Sequence, residues 1–100
     1  MSDGLLTVDM SGRISVINPA AAILLGMTDG ETMTRCHISE CLMPFPALER
    51  YVGELLANPG DRQPQEIQLP GENETRSLLV SCSLLKNRKN RPQEIILNLH

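Results

Sequence analysis

Two thiols and an imidazole stand close together in this sequence, at Cys36, His37 and Cys41, with a third thiol at Cys82. Three thiolates and one imidazole are a donor set that zinc accepts. Yet the spacing matches no common zinc finger, and adjacent ligands in a turn are awkward to aim at one ion. Cys82 lies in an apolar stripe, where a free cysteine behaves as a small hydrophobe. A second chemistry is redox. Arg35 beside Cys36 is the kind of neighbour that favours a reactive thiolate, so Cys36 or Cys41 could sense oxidants. The plainer use of both is as ordinary thiols on a short helix or loop. His37, Ser39 and Glu40 resemble a catalytic set by composition only, since neighbours in sequence rarely converge on one substrate. There is no glycine-rich phosphate loop, nucleophile elbow or pair of metal carboxylates. These residues predict neither catalysis nor a metal centre.

The elements that must carry them begin with Asp3 to Gly26. Leu5 to Val8 is an apolar run, Asp9-Met10-Ser11-Gly12 is a turn, and Arg13 to Ile17 resumes the apolar, β-branched run, which makes a hairpin. Asn18 can cap the next helix and Pro19 fits its first position. Ala20 to Leu25 propagates the helix and Gly26 ends it. Met27 to Thr34 is polar and turn-rich, with Asp29-Gly30 as a breaker, while the capping-box spacing of Thr28 and Glu31 would suit a short helix beginning near Thr28 or Asp29. Ser39 is placed to cap one turn, with Ile38 and Leu42 turned inward. Pro44 and Pro46 bracket Phe45, and a helix runs from Pro46 to Ala57 with Phe45, Leu48, Val52, Leu55 and Leu56 on one face. Asn58-Pro59-Gly60-Asp61 stops it.

Three strands follow: Gln65 to Leu69, Thr75 to Leu85 and Gln93 to Leu99, joined by turns at Pro70-Gly71-Glu72-Asn73 and Asn87-Arg88-Lys89-Asn90. In the long strand Leu78, Val80, Cys82 and Leu84 share one face, and Leu79, Ser81, Ser83 and Leu85 share the other. The first face should meet the helices. The second carries leucines that a single sheet would cover with a partner. Two strands, collected helices and three more strands predict an α+β architecture, a five-stranded antiparallel sheet flanked on one face by several short helices.

Composition narrows the function. One hundred residues with 41% hydrophobic and 2% aromatic content predict one domain with an aliphatic core. A net charge of −3, a pI of 5.3 and scarce aromatics argue against nucleic-acid binding. No segment has the apolar length of a membrane span, and no signal-peptide pattern opens the chain. Three irregularly spaced cysteines suit reduced thiols in the cytoplasm. The basic cluster Lys86, Arg88, Lys89 and Arg91 sits in a turn and reads as solvated.

With its elements in this order, the sequence resembles the PAS sensory domains over nearly its whole length. The resemblance is carried by Asp3-Gly4, by the turn from Asp9 to Gly12 with Arg13, and by Asn18-Pro19-Ala20-Ala21 ending at Leu25-Gly26. Thr34-Arg35 and Ser39-Glu40-Cys41-Leu42 resemble the loop and short helix after the family's first helix; Arg76 to Leu85 and Ile95 to His100 resemble its long and last strands. It implies a pocket between sheet and helices, and a sensory or dimerisation role in a longer bacterial signalling protein, often a histidine kinase. Residues 1–100 would then be one domain of it, relaying its signal through the last strand to a C-terminal output domain. A ligand-free interaction module and a thiol-based redox sensor are the other readings.

No cofactor is specified. Photoactive flavin members carry a reactive Cys in Gly-Arg-Asn-Cys-Arg; aligned on Arg35, this chain puts Cys36 at the Asn position and His37 at the Cys position, which disfavours adduct chemistry. Haem-binding members use a His on the long helix, and Pro46 to Ala57 has none. A pocket, if the side chains do not fill it, would be lined by Ile17, Leu24, Ile38, Met43, Leu48, Tyr51, Val52, Leu55, Val80 and Cys82, with Tyr51 as the polar handle for a small molecule. Leu79 and Leu85 are the expected contacts of a homodimer. Neither nucleic acid nor membrane is expected as a partner of this segment.

Overall fold

In a computed structural model that describes residues 3–26, 34–70 and 75–100, the strands and helices follow in the expected order: β1 (Gly4–Asp9), β2 (Ile14–Ile17), α1 (Pro19–Leu24), α2 (Ile38–Cys41), α3 (Pro46–Ala57), β3 (Gln65–Leu69), β4 (Arg76–Lys86) and β5 (Pro92–Leu99). The expected helix at Thr28, the breaker Asp29-Gly30 and most of the turn after Pro70 lie outside the described residues.

The five strands form one antiparallel sheet in the order β2-β1-β5-β4-β3. The chain ends therefore pair at its centre, Gly4 opposite Leu99, while β2 and β3 form the edges. Leu6, Val8, Ile67, Leu69, Leu78, Val80, Ile95, Leu97 and Leu99 point to one face and pack under the helices with Ala21, Leu42, Leu48, Val52 and Leu55. Each fully buried leucine there contributes about 2–3 kcal/mol through the apolar surface it withdraws from water. α1 lies so close to β1 that a Cβ on Gly4 would stand 3.0 Å from Ala21 Cα.

Local chemistry explains the element ends. Asp9 Oδ1 accepts from the amides of Ser11 and Arg13 and from Ser11 Oγ, and Gly12 N donates to Asp9 O at 3.0 Å. Burial pushes the Asp9 carboxyl up, but these bonds outweigh it and hold the group below its ordinary 3.8. Asn18 caps α1, its Oδ1 accepting from Ala21 N at 2.8 Å and also from Leu5 N at 2.9 Å. At the last hairpin Asn87 Oδ1 accepts from Lys89 N and Arg91 N.

One departure is in β2. A bulge shifts its register between Thr7 and Val8, so that Leu6 faces Ile17 while Val8 faces Ile14. Both isoleucines consequently turn to the helical side, which strict alternation forbids for positions three apart. Ser15, at the bulge, bonds Thr7 Oγ1 at 2.6 Å and satisfies that buried hydroxyl.

A second departure concerns α2. His37, not Ser39, is its cap: His37 Nδ1 accepts from Ser39 N at 3.1 Å. Ser39 is the second helical residue and bonds the same nitrogen through Oγ at 2.8 Å. The displacement follows from tertiary pairing. Arg13 and His37 form a β-bridge, Ile14 N donates to Cys36 O and Ile38 N to Gly12 O, so the chain stays extended through His37 before it can turn.

Candidate functional site

The residues expected to surround a pocket converge, with one exception. Ile38 from α2, Leu48, Tyr51, Val52 and Leu55 from α3, and Val80 from β4 are buried in one core. Ile17, Leu24 and Cys82 are half-buried against it. Met43 is the exception: it is 69% exposed and lines no interior space. α2 ends at Cys41, Leu42 takes the inward position of the following turn, and Met43 is left pointing out. Leu84, expected on the helix-facing side, is only half-buried.

Within this core Tyr51 is unusual. The residue is 5% exposed, and its hydroxyl is the one buried side-chain oxygen or nitrogen among the described residues that has no hydrogen-bond partner. Such an orphan costs about 1–3 kcal/mol. The Cys82 sulfur lies near enough to influence it but outside hydrogen-bond geometry. Burial, and next the Cys82 thiol, push the phenol up to about 12. The sequence marks Tyr51 as a polar handle, and the fold leaves that handle unused by the protein's own groups. Its ring also borders a groove of 280 Å³ between α3 and β3, with Arg50, Glu54, Glu66 and Gln68 at the rim.

The thiols and imidazole are placed differently from any metal centre. His37 Nδ1 is engaged by Ser39, and no three His, Cys, Asp or Glu side chains among the described residues could hold an ion together. Cys36 and Cys41 face each other at the start of α2, and Cys82 is on β4. All three are free cysteines. The capping role of His37 is the feature that sequence reasoning missed; Glu40 three residues later, at capping-box spacing, was the available signal.

Two surfaces are apolar. On the outer face of the sheet Leu79 is 46% and Leu85 43% exposed, with Val16 exposed on β2 and Ile96 half-buried between them on β5. At the sheet's end, Pro19, Ile23 and Leu24 of α1 form with Leu99 the apolar wall of a 580 Å³ groove. Its rim holds the pair His100 Nδ1–Asp3 Oδ1 at 3.1 Å. Among the described residues no helix is long and apolar enough to cross a membrane.

No protein-family model and no curated protein matches the sequence. Solved structures do match the fold. The PAS domain of the histidine kinase ThkA superposes with a TM-score of 0.73 at 20% identity, covering 99% of this chain and 98% of that one. The PAS domain of Bordetella pertussis BvgS gives 0.71 at 19% identity, covering 100% of this chain and 75% of that one. A chain of the E. coli DhaR(N)-DhaL complex gives 0.71 at 20% identity; this chain is covered completely and spans 32% of that one. The domain has the PAS fold, the five-stranded open sheet with helices on one side.

Proposed function

We propose that this PAS domain is a sensory and dimerisation module with no catalysis of its own, in which a small molecule held between α3 and the sheet biases contacts on the sheet's outer face. The observation that carries the reading is Tyr51: a buried hydroxyl without a protein partner, on the buried face of α3. A ligand that supplies a hydrogen-bond partner there would recover the cost of the orphan, and such recovery is a differential affinity for one state of the protein. The chemistry that suits the site is a small, mainly apolar molecule with one polar group, since Tyr51 belongs to a core built mainly of leucine, valine and isoleucine.

The output is proposed to leave through β5, which pairs with both β1 and β4 at the centre of the sheet. A shift in the core would reach both neighbours through it. By analogy with the histidine kinase ThkA, the partner would be a covalently linked histidine kinase in a cytoplasmic bacterial signalling protein, of which these 100 residues are one domain. The exposed Leu79 and Leu85 favour a homodimer through the outer face. That same observation supports the second reading, a PAS module used for assembly alone.

Native mass spectrometry and an absorption spectrum of freshly purified protein test the proposal. The expected result is a bound small molecule, lost in Tyr51→Phe while the far-ultraviolet circular dichroism is kept. Protein that carries nothing and shows no thermal shift across a metabolite library favours the assembly module instead.

A further inference from the structure

Cys36 and Cys41 occupy two positions that face each other across a helix start. His37 caps α2, so Cys36 precedes the cap and Cys41 is the fourth helical residue. In a hydrophobic staple these two positions pack side chain on side chain. Both sulfurs rest on one atom here: the His37 carbonyl oxygen accepts from Cys36 Sγ at 3.5 Å and from Cys41 Sγ at 3.1 Å. The sulfurs can therefore be no further apart than the sum of those two distances. Cys41 Sγ also reaches the carbonyl of Cys36 itself, at 3.8 Å. The backbone around them is held from outside the helix by Ile14 N on Cys36 O and Ile38 N on Gly12 O. A staple needs only two apolar side chains; a cysteine in both places adds a chemistry that packing does not require.

We propose that Cys36 and Cys41 form a reversible dithiol–disulfide switch, closed by a hydroperoxide and reopened by a dithiol reductant. It stands independently of any ligand at Tyr51. Cys36 is half-buried and meets the oxidant, whereas Cys41 is only 7% exposed. The Cys36 thiolate attacks a peroxide oxygen and the O–O bond breaks. The departing oxygen takes up the proton that Cys36 released, and the sulfur becomes a sulfenic acid. Cys41 then attacks that sulfur. The S–S bond forms, the S–O bond breaks, and the hydroxyl leaves as water with the proton from Cys41. Two thiols are oxidised and one hydroperoxide is reduced, giving a disulfide, water and the corresponding alcohol, or a second water from hydrogen peroxide. Thiol–disulfide exchange with the reductant returns both thiols. Burial, and then the Cys36 neighbour, push the Cys41 thiol up to about 12, so it is not the thiol that reacts first with the peroxide.

The bond would close across the first turn of α2, the turn docked against Gly12 and Arg13 of the β1–β2 hairpin. Oxidation would thus act on the contact between hairpin and helix, a part of the fold separate from the outer sheet face.

Wild-type protein and a Cys82→Ser variant are treated with stoichiometric hydrogen peroxide under native conditions, weighed intact, and mapped as unreduced peptides. The expected product is lighter by two hydrogens, carries the link between residues 36 and 41 within one chain, and regains its mass with dithiothreitol. Adding Cys41→Ser should trap a sulfenic acid on Cys36 that dimedone captures. A link between two chains, a link from either residue to Cys82 in the wild type, or irreversible oxidation of Cys36 with Cys41 still free overturns the proposal. So does wild-type protein that keeps all its thiols, an outcome that does not depend on how well any variant folds.

Discussion

The imidazole Nε2 of His37 stands 2.6 Å from the point that a Cβ on Gly12 would occupy. Gly12 also has φ +88°, in the left-handed region that costs a side chain strain. The hairpin turn and the start of α2 are thus fitted together over a residue that has neither the space nor the backbone for anything but glycine. Beside this contact, the Arg13–His37 bridge of the β1–β2 hairpin sets where the segment bearing both thiols begins its helix.

Gly12→Ala is expected to destabilise the domain by about 1–3 kcal/mol, combining backbone strain with displacement of the His37 ring. Urea unfolding should show a lower midpoint with an unchanged slope. An unchanged midpoint would mean that the turn and α2 separate without cost.

Asn18 joins β1 to α1 through a single oxygen, which accepts from both Leu5 N and Ala21 N. Asn18→Ala removes the cap and orphans the Leu5 amide, for an expected loss of about 1–2 kcal/mol. Asn18→Asp keeps the acceptor, loses only the Nδ2 bond to Asp3 O, and should cost less. The two midpoints compared in one denaturant series decide the matter; equal losses would assign the effect to Nδ2.

Alkaline pH should weaken the fold. Tyr51 rises from its ordinary 10.0 to about 12 on folding, and Cys41 from 9.0 to about 12. In both cases the unfolded chain ionises first. Their contribution is therefore complete below the unfolded values and is lost as pH climbs toward about 12. Stability should stay level to about pH 9 and fall above it, and Tyr51→Phe should flatten the part of the decline that begins near pH 10. Phenylalanine there also removes the orphan hydroxyl, so the variant should be at least as stable as the wild type at neutral pH. A marked loss at neutral pH would show that the hydroxyl has a partner in the free protein.

If the outer sheet face is the dimer surface, replacing Leu79 and Leu85 together by Glu should shift sedimentation toward the monomer without changing the circular dichroism. Both side chains are more than two-fifths exposed, so the replacement leaves the core intact. A wild type that stays monomeric across a wide concentration range would remove the dimer from the proposal.

The legible features were those whose cause is local. The Asp9 turn, the Asn18 cap, the helix from Pro46 to Ala57 and the strand from Gln65 to Leu69 all stand where side-chain chemistry and periodicity put them. The burial of most residues named around the expected pocket was legible too, because an amphipathic stripe such as Leu48, Val52 and Leu55 has only one face to bury. Met43 was misplaced because Leu42, four residues after Ile38, takes the inward position and leaves its neighbour pointing out. Ser39 is an ordinary cap by residue type; His37 takes its place because a β-bridge with Arg13 holds the chain extended up to that residue.

The sequence by itself determined the order of strands and helices, the cap of α1, the hairpin turns at Asp9 and Asn87, and which faces are apolar, because each depends on residues within a turn or two of one another. Only the tertiary structure decided the strand order, the bulge that turns both Ile14 and Ile17 inward, the orphaned hydroxyl of Tyr51, and the meeting of Cys36 with Cys41 on one carbonyl. The strand order and the orphaned hydroxyl arise between segments distant in sequence, and the bulge from how two neighbouring strands pair. The last depends on where α2 begins, and that is set by its pairing with a hairpin more than twenty residues earlier.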